Sequence, residues 1–360
     1  MTWTLMNPGP VNVSESVRSA GFNSPDICHR EPEYSDLQDA VRTSLLEVLG
    51  LSPDDYTSVL LTGSGTAAVE AMIASGVPRG GRLLVIRNGA YGERMQLIAR
   101  AHGIECDTVD CSSTERPNID DVRGRLDKNR YACLAVVHHE TSTGLLNDLA
   151  PLAALCRERG VRILIDAVSS LGGEIVDFAA FQPDIVVSTA NKCIQGLPGI
   201  SFAIVRRACM EAIYEYPPRT LYLHLPEHHR AQGLRSTLFT PAVQTTFSFL
   251  AALRELSEET VAGRIARYGR MSAIVREGLE SAGVRLVLPP ALRSSTLTSA
   301  FLPDGISYKV LHDALKSERF VIYAGQGPQA SALFRVATMG AVPEQEYHRF
   351  VHAVRRIVSG

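Results

Sequence analysis

Val161-Arg162-Ile163-Leu164-Ile165-Asp166 is a short apolar run closed by a carboxylate, and 22 residues after that aspartate begins Ser188-Thr189-Ala190-Asn191-Lys192-Cys193-Ile194-Gln195-Gly196-Leu197-Pro198-Gly199. The first run has the length and composition of a buried strand. The second follows another such run, over 185–188. An acid and an amine therefore stand at the ends of two buried strands. Working outward, the spacing predicts further strands over 58–61, 82–86, 104–109, 133–137 and 201–205, seven in all. Helical patterns over 35–49, 67–74, 92–101 and 152–159 fall between or before them. Strands alternating with helices predict an α/β fold around a mostly parallel seven-stranded sheet. Such sheets bind ligands beyond the carboxyl ends of their strands. Thr62-Gly63-Ser64, Asn88-Gly89, His138-His139-Glu140, Asp166 and residues 189–192 all follow strands.

The pattern changes after about Arg206. Residues 215–232 read as irregular, and 241–281 as a long connecting helix followed by another. Strands near 285–288, 297–301, 320–323 and 333–337, with helices over 309–317 and 344–358, predict a small C-terminal α+β domain. The expected division is an N-terminal segment and large domain over 1–245, then the connecting helix and small domain over 246–360. The first 35 residues, rich in Pro, Gly, Asn and Ser, read as irregular.

Bulk composition narrows the classes of function. Charged residues make up 21% and the formal net charge is −2, so no global field draws the chain to nucleic acid or anionic lipid. Seven cysteines, an odd count with no C-x-x-C pair, predict neither a disulfide framework nor a zinc knuckle. Reduced thiols suit a cytoplasmic protein. Met1-Thr2-Trp3-Thr4-Leu5-Met6-Asn7-Pro8-Gly9-Pro10 has neither the basic nor the apolar region of a signal peptide, and no apolar run approaches the ~20 residues that span a bilayer.

Several constellations carry chemistry. Thr62-Gly63-Ser64-Gly65-Thr66 turns from strand into helix through glycines, where free N–H groups and the helix dipole make an anion seat. It lacks the spacing of a nucleotide P-loop or a dinucleotide fingerprint, so a small phosphate fits it better. Tyr91, between Ala90 and Gly92, can lie flat over a ring. His138 and His139 point to opposite faces of an extended chain, which argues against one shared metal ion, and no metal is expected. Thr141 in that loop is placed near a cofactor. Arg335 stands among Leu333, Phe334 and Val336, an apolar setting suited to bidentate capture of a carboxylate or phosphonate. Lys192 and Asp166 complete the pattern. Pyridoxal phosphate chemistry needs a lysine for the aldehyde and a carboxylate that keeps the ring nitrogen protonated.

These motifs resemble the class V, fold-type I pyridoxal phosphate aminotransferases, and within them the 2-aminoethylphosphonate–pyruvate transaminases. The resemblance rests on Asn7-Pro8-Gly9-Pro10, Cys28-His29-Arg30-Glu31-Pro32-Glu33-Tyr34, Leu61-Thr62-Gly63-Ser64-Gly65, Asn88-Gly89-Ala90-Tyr91-Gly92-Glu93-Arg94-Met95, His139-Glu140-Thr141-Ser142-Thr143-Gly144, Asp166-Ala167-Val168-Ser169-Ser170 and Ala190-Asn191-Lys192-Cys193-Ile194-Gln195-Gly196. It implies that Lys192 is the Schiff-base lysine and proton carrier and that Asp166 pairs with the pyridine nitrogen. Ser64, Gly65 and Thr66 hold the phosphate, with Asn191 nearby. Tyr91 and Val168 take the two ring faces, and Thr141 the ring hydroxyl side. Thr240 reaches the phosphate in a neighbouring subunit, so a homodimer is implied. Arg335 grips the keto acid, and Arg30 is a second candidate for substrate. The implied reaction is ping-pong transamination between an aminophosphonate and pyruvate, giving phosphonoacetaldehyde and alanine. The alternative is an alanine– or serine–glyoxylate type aminotransferase. Val336-Ala337-Thr338-Met339-Gly340 departs from the Ile-Gly-x-x-Gly expected there, which leaves open whether the aminophosphonate is plain, hydroxylated or longer.

Overall fold

In the computed structural model, which describes residues 3–326 and 331–359, seven strands form the central sheet. They are labelled here β1 (Tyr56–Thr62), β2 (Arg82–Arg87), β3 (Glu105–Asp110), β4 (Cys133–Val137), β5 (Arg162–Asp166), β6 (Ile185–Thr189) and β7 (Ile200–Arg206). Their order across the sheet is β1-β7-β6-β5-β4-β2-β3. Pairs β2–β3, β2–β4, β4–β5 and β5–β6 are parallel. Strand β7 runs antiparallel to both β6 and β1. The sheet is thus mostly parallel, as expected. Apolar runs carry no mark of strand direction, so the reversed strand was not legible.

Both faces of the sheet are covered, which is why its strands are apolar nearly throughout. Side chains alternate between faces. Leu84, Ile86, Leu134, Val136, Ile163 and Ile165 enter one core with the helices Pro32–Val48, Leu149–Glu158 and Val243–Glu259. Leu83, Val85, Ala135, Val137 and Leu164 enter the other, with the helices Gly65–Gly76 and Ala90–Ala101. A third core gathers around the antiparallel sheet formed by Leu297–Phe301, Leu333–Ala337 and Tyr323–Ala324. Met6 belongs to that third core, and the strand Thr4–Leu5 pairs with Phe320–Val321.

Three expectations need correction. The first 35 residues hold a helix, Glu15–Phe22, whose N–H of Val17 is capped by the Ser14 hydroxyl. Val17 and Gly21 are its buried positions, and at Gly21 a Cβ would lie 2.1 Å from Ser248 Oγ, so the helix approaches Val243–Glu259 at a distance only glycine permits. The stretch 215–232 is not irregular throughout, because Leu225–Gly233 is helical with Pro226 in its first turn. The run near 285–288 makes only a bridge, Leu286 to Ala300, and no extended strand.

Candidate active site

Five strand ends converge at one edge of the sheet. Beyond β1, Gly63 and Ser64 lead into the helix Gly65–Gly76, and the Ser64 side chain makes no capping bond. Its hydroxyl and the first N–H groups of the helix remain available to a ligand. At Gly65 an added Cβ would lie 2.7 Å from Val168 Cγ1, so only glycine lets the helix start approach the segment after β5. Beyond β6, Lys192 sits in a turn shaped by Gln195, whose φ of 68° is costly for a non-glycine residue, and by Gly199 at φ 124°. The turn is locked from behind. The buried Arg264 guanidinium donates to the carbonyls of Cys193 and Ile194, and Tyr268 Oη donates to Cys193 while accepting from the Gln195 amide.

A cavity of about 520 Å³ opens there. Its wall includes Ser64, Gly65, Thr66, Tyr91, Val168, Asn191, Lys192 and Arg335. Eight of the residues expected at the site are thus brought to one hollow. The Lys192 Nζ lies 5.6 Å from the centroid of the Tyr91 ring. The N-terminal segment closes the floor, with a Cβ at Gly9 only 3.1 Å from Lys192 Cγ. Asp166 ends β5 with 5% exposure and accepts the Val168 N–H at 2.9 Å. Burial pushes its carboxyl above the ordinary range, against the Val168 N–H and the charges of Lys192 and Arg94. Asp166 forms no ion pair among the described residues, so a cationic ring nitrogen would supply the partner that a buried carboxylate needs.

Arg335 is 3% exposed and held by three acceptors: the carbonyls of Ala324 and Thr141, each at 2.7 Å, and Gln326 Oε1 at 3.2 Å. Its remaining nitrogen, Nη2, makes no hydrogen bond among the described residues. Thr141 is fully buried, and its hydroxyl has no partner among the described residues. An orphaned hydroxyl beside this cavity is a second mark of a missing polar group. Asn191 accepts the Thr189 hydroxyl at 2.8 Å. His138 and His139 are buried and turned away from each other, to Ser170 Oγ and to the Ser169 carbonyl. Burial pushes them down to about 3 and about 4, so both are neutral at pH 7.

Two expected residues lie elsewhere. Arg30 is exposed and does not line the cavity. Thr240 is exposed and lines a separate hollow with Tyr222 and Phe239. Other lining residues escaped the sequence reading: Arg94, Ala242, Tyr323 and Gln326. Glu140 also emerges as structural to the site. It is fully buried, and its Oε1 accepts the N–H groups of Tyr91 at 3.0 Å and Gly92 at 2.8 Å. That carboxylate caps the helix Ala90–Ala101, whose preceding residue, Gly89, has no side chain to do so.

The buried acid, the lysine, the glycine-opened helix start and the orphaned hydroxyl fit pyridoxal phosphate. The comparisons agree. The model of the family "Aminotransferase class-V" matches residues 18–342. A 2-aminoethylphosphonate–pyruvate transaminase of Syntrophobacter fumaroxidans is 37% identical over 98% of this chain and 95% of its own length. One from Bacteroides fragilis is 35% identical, covering 98% of each chain. Among solved structures, an alanine–glyoxylate aminotransferase from Nostoc sp. superposes with a TM-score of 0.94 at 28% identity, over 99% of this chain and 96% of that one. An aspartate aminotransferase from Thermus thermophilus gives 0.90 at 29% identity, over 99% of both. The chain belongs to the class-V aminotransferases, and its cofactor is pyridoxal 5'-phosphate.

Proposed function

We propose that this aminotransferase moves the amino group of 2-aminoethylphosphonate, or a close aminophosphonate, to pyruvate, leaving phosphonoacetaldehyde and alanine. The observation that carries the reading is the full-length likeness to several transaminases so named. The charge of the cavity supports it. Lys192, Arg94 and Arg335 all line it, and none has an ion-pair partner among the described residues. Such a wall suits a phosphorylated cofactor and anionic substrates together.

When bound, pyridoxal phosphate supplies an electron sink and holds the amino group between the two half-reactions. Lys192 would hold the cofactor through its Nζ and, when that amine is free, would serve as the base that moves the substrate proton. Asp166 keeps the ring nitrogen protonated. Tyr91 and Val168 would hold the ring, and the Thr141 hydroxyl would serve its oxygen side. Ser64, Gly65, Thr66 and Asn191 seat the phosphate. Arg335 presents Nη2 to the carboxylate of the keto acid or to the phosphonate. Thr240 is assigned to the phosphate of the neighbouring subunit in a homodimer, as the family resemblance implies, and Arg30 stays a candidate for substrate although it lies outside the cavity. The division of the chain at residue 245 belongs to this reading, with Thr4–Leu5 as the strand that crosses it. A cytoplasmic location fits the seven free thiols among the described residues. No helix among the described residues is long and apolar enough to cross a membrane.

The test is single-turnover absorbance of the cofactor-loaded protein with 2-aminoethylphosphonate, alanine and serine in separate mixes. Bleaching of the visible cofactor band by the aminophosphonate is expected. A response to alanine or serine, with none to the aminophosphonate, would move the enzyme to the carboxylate branch, which the Nostoc likeness favours. A protein that takes up no cofactor would sink the reading.

A further inference from the structure

Of the three cations in the cavity, Arg94 has no role in the reading above. We propose that Arg94 is the charged member of the phosphate seat: it turns the Thr66 hydroxyl into a donor toward a phosphate monoester at the start of the Gly65–Gly76 helix and adds its own charge there. The inference rests on the reading that pyridoxal phosphate places its phosphate at Ser64–Thr66.

The geometry is specific. Arg94 follows Tyr91 by three residues on the helix Ala90–Ala101, so the two side chains share a face. Its guanidinium carbon lies 4.7 Å from the Tyr91 ring centroid. Its Nη1 donates to Thr66 Oγ1 at 3.1 Å. A hydroxyl that accepts a bond from a guanidinium still owns its proton, and that proton is free to donate. The Arg94 contact thereby sets the polarity of Thr66 for an anion. Arg94 is half-buried, lines the cavity and has no carboxylate partner among the described residues. Arg87, seven residues earlier and also half-buried, shows the contrast: at its end of β2 it pairs with Asp110 at 2.6 Å. A half-buried guanidinium that remains charged without a counter-ion marks a place where an anion is missing. The helix start beside it offers N–H groups to the same anion. Arg335 is fixed by a separate set, the carbonyls of Thr141 and Ala324 and the Gln326 amide oxygen, so the two arginines are built for different anions.

The experiment compares pyridoxal phosphate with pyridoxal, which lacks the phosphate, as ligands of the apo protein, by absorbance titration or equilibrium dialysis. Wild type is expected to prefer the phosphorylated form. Arg94→Gln should weaken pyridoxal phosphate roughly 10- to 100-fold and leave pyridoxal unchanged. Arg94→Lys should recover part of the loss. In a Thr66→Val background, Arg94→Gln should add little, because the two act as one unit. Equal weakening of both ligands would reduce Arg94 to a structural residue and overturn the inference. So would unchanged cofactor affinity with a raised KM for 2-aminoethylphosphonate alone, which would make Arg94 a substrate grip. A wild type with no preference for the phosphorylated form would overturn the phosphate seat itself, and the inference with it.

Discussion

The cavity has two walls of different construction. One is made at the strand ends of the central sheet: Ser64 to Thr66 after β1, Tyr91 after β2, Val168 after β5, with the buried Asp166 two residues before it, and Lys192 after β6. The other is made by Tyr323, Gln326 and Arg335 from the C-terminal sheet. The first wall hangs on strands buried on both faces and on a lysine turn bolted by Arg264 and Tyr268. The second wall is tied to the first by the Arg335 bond to the Thr141 carbonyl. The contrast separates the residues expected to act on any amine, at the strand ends of the central sheet, from the arginine expected to select the anion, on the small sheet.

Variants at the first wall should affect both half-reactions alike. Lys192→Ala is expected to cut transamination on the order of 10⁴-fold with any amino donor, and to abolish the visible cofactor band. An unequal loss between donors would break the comparison. Asp166→Asn should lower kcat roughly 10²- to 10³-fold with little change in KM, checked by steady-state kinetics with each substrate. Arg335→Lys, on the other wall, should raise KM for the keto acid about 10- to 100-fold while cofactor affinity stays level, because lysine cannot reproduce the forked contacts. Gly65→Ala tests the close approach of the first wall to itself. Its methyl meets both Val168 methyl groups, at 2.7 and 3.0 Å, and should cost about 1–3 kcal/mol along with cofactor affinity, read from thermal melts with and without cofactor.

The smallest effect concerns the joint between the two regions. Glu174, soon after β5, accepts both the N–H and the hydroxyl of Ser295, which leads into the C-terminal sheet. Burial raises its carboxyl from 4.5 to about 7, against the two Ser295 bonds. The folded state therefore holds this proton more tightly than the unfolded chain. That contribution to stability is full below about pH 4.5 and is lost as pH rises through about 7. Glu174→Gln, which keeps a neutral side chain at every pH, should lose fewer degrees of Tm between pH 5 and 8 than wild type does. Parallel curves would mean that the carboxyl is not carrying the pH dependence.

The wall at the strand ends was largely legible in the sequence, apart from Arg94, and of the other wall only Arg335 was. Asp166 and Lys192 stand out because each follows an unbroken apolar run, and Gly65 because it opens a helix. Arg335 was legible from its apolar neighbours. Arg94 was hidden in Glu93-Arg94, which reads as the exposed face of a helix until Tyr91 is known to point inward. Glu140 was hidden because its partners are backbone N–H groups of a helix about 50 residues earlier in the chain. The helix Glu15–Phe22 was masked by its polar composition, since only Val17 and Gly21 are buried. Gln326 gave no signal, because one amide in a loop matches no pattern.

The segment laid across the cavity floor has a consequence for how the protein folds. Thr4 pairs with Phe320, and Gly9 rests against Lys192. This segment thus finds its place only against a strand far along the chain. Non-local pairing of this kind is slow, because a long loop must close before any contact rewards it. Until then the lysine lacks its floor. The floor of the pocket is therefore expected to settle later than the central sheet when the unfolded protein refolds, and cofactor affinity to return with it.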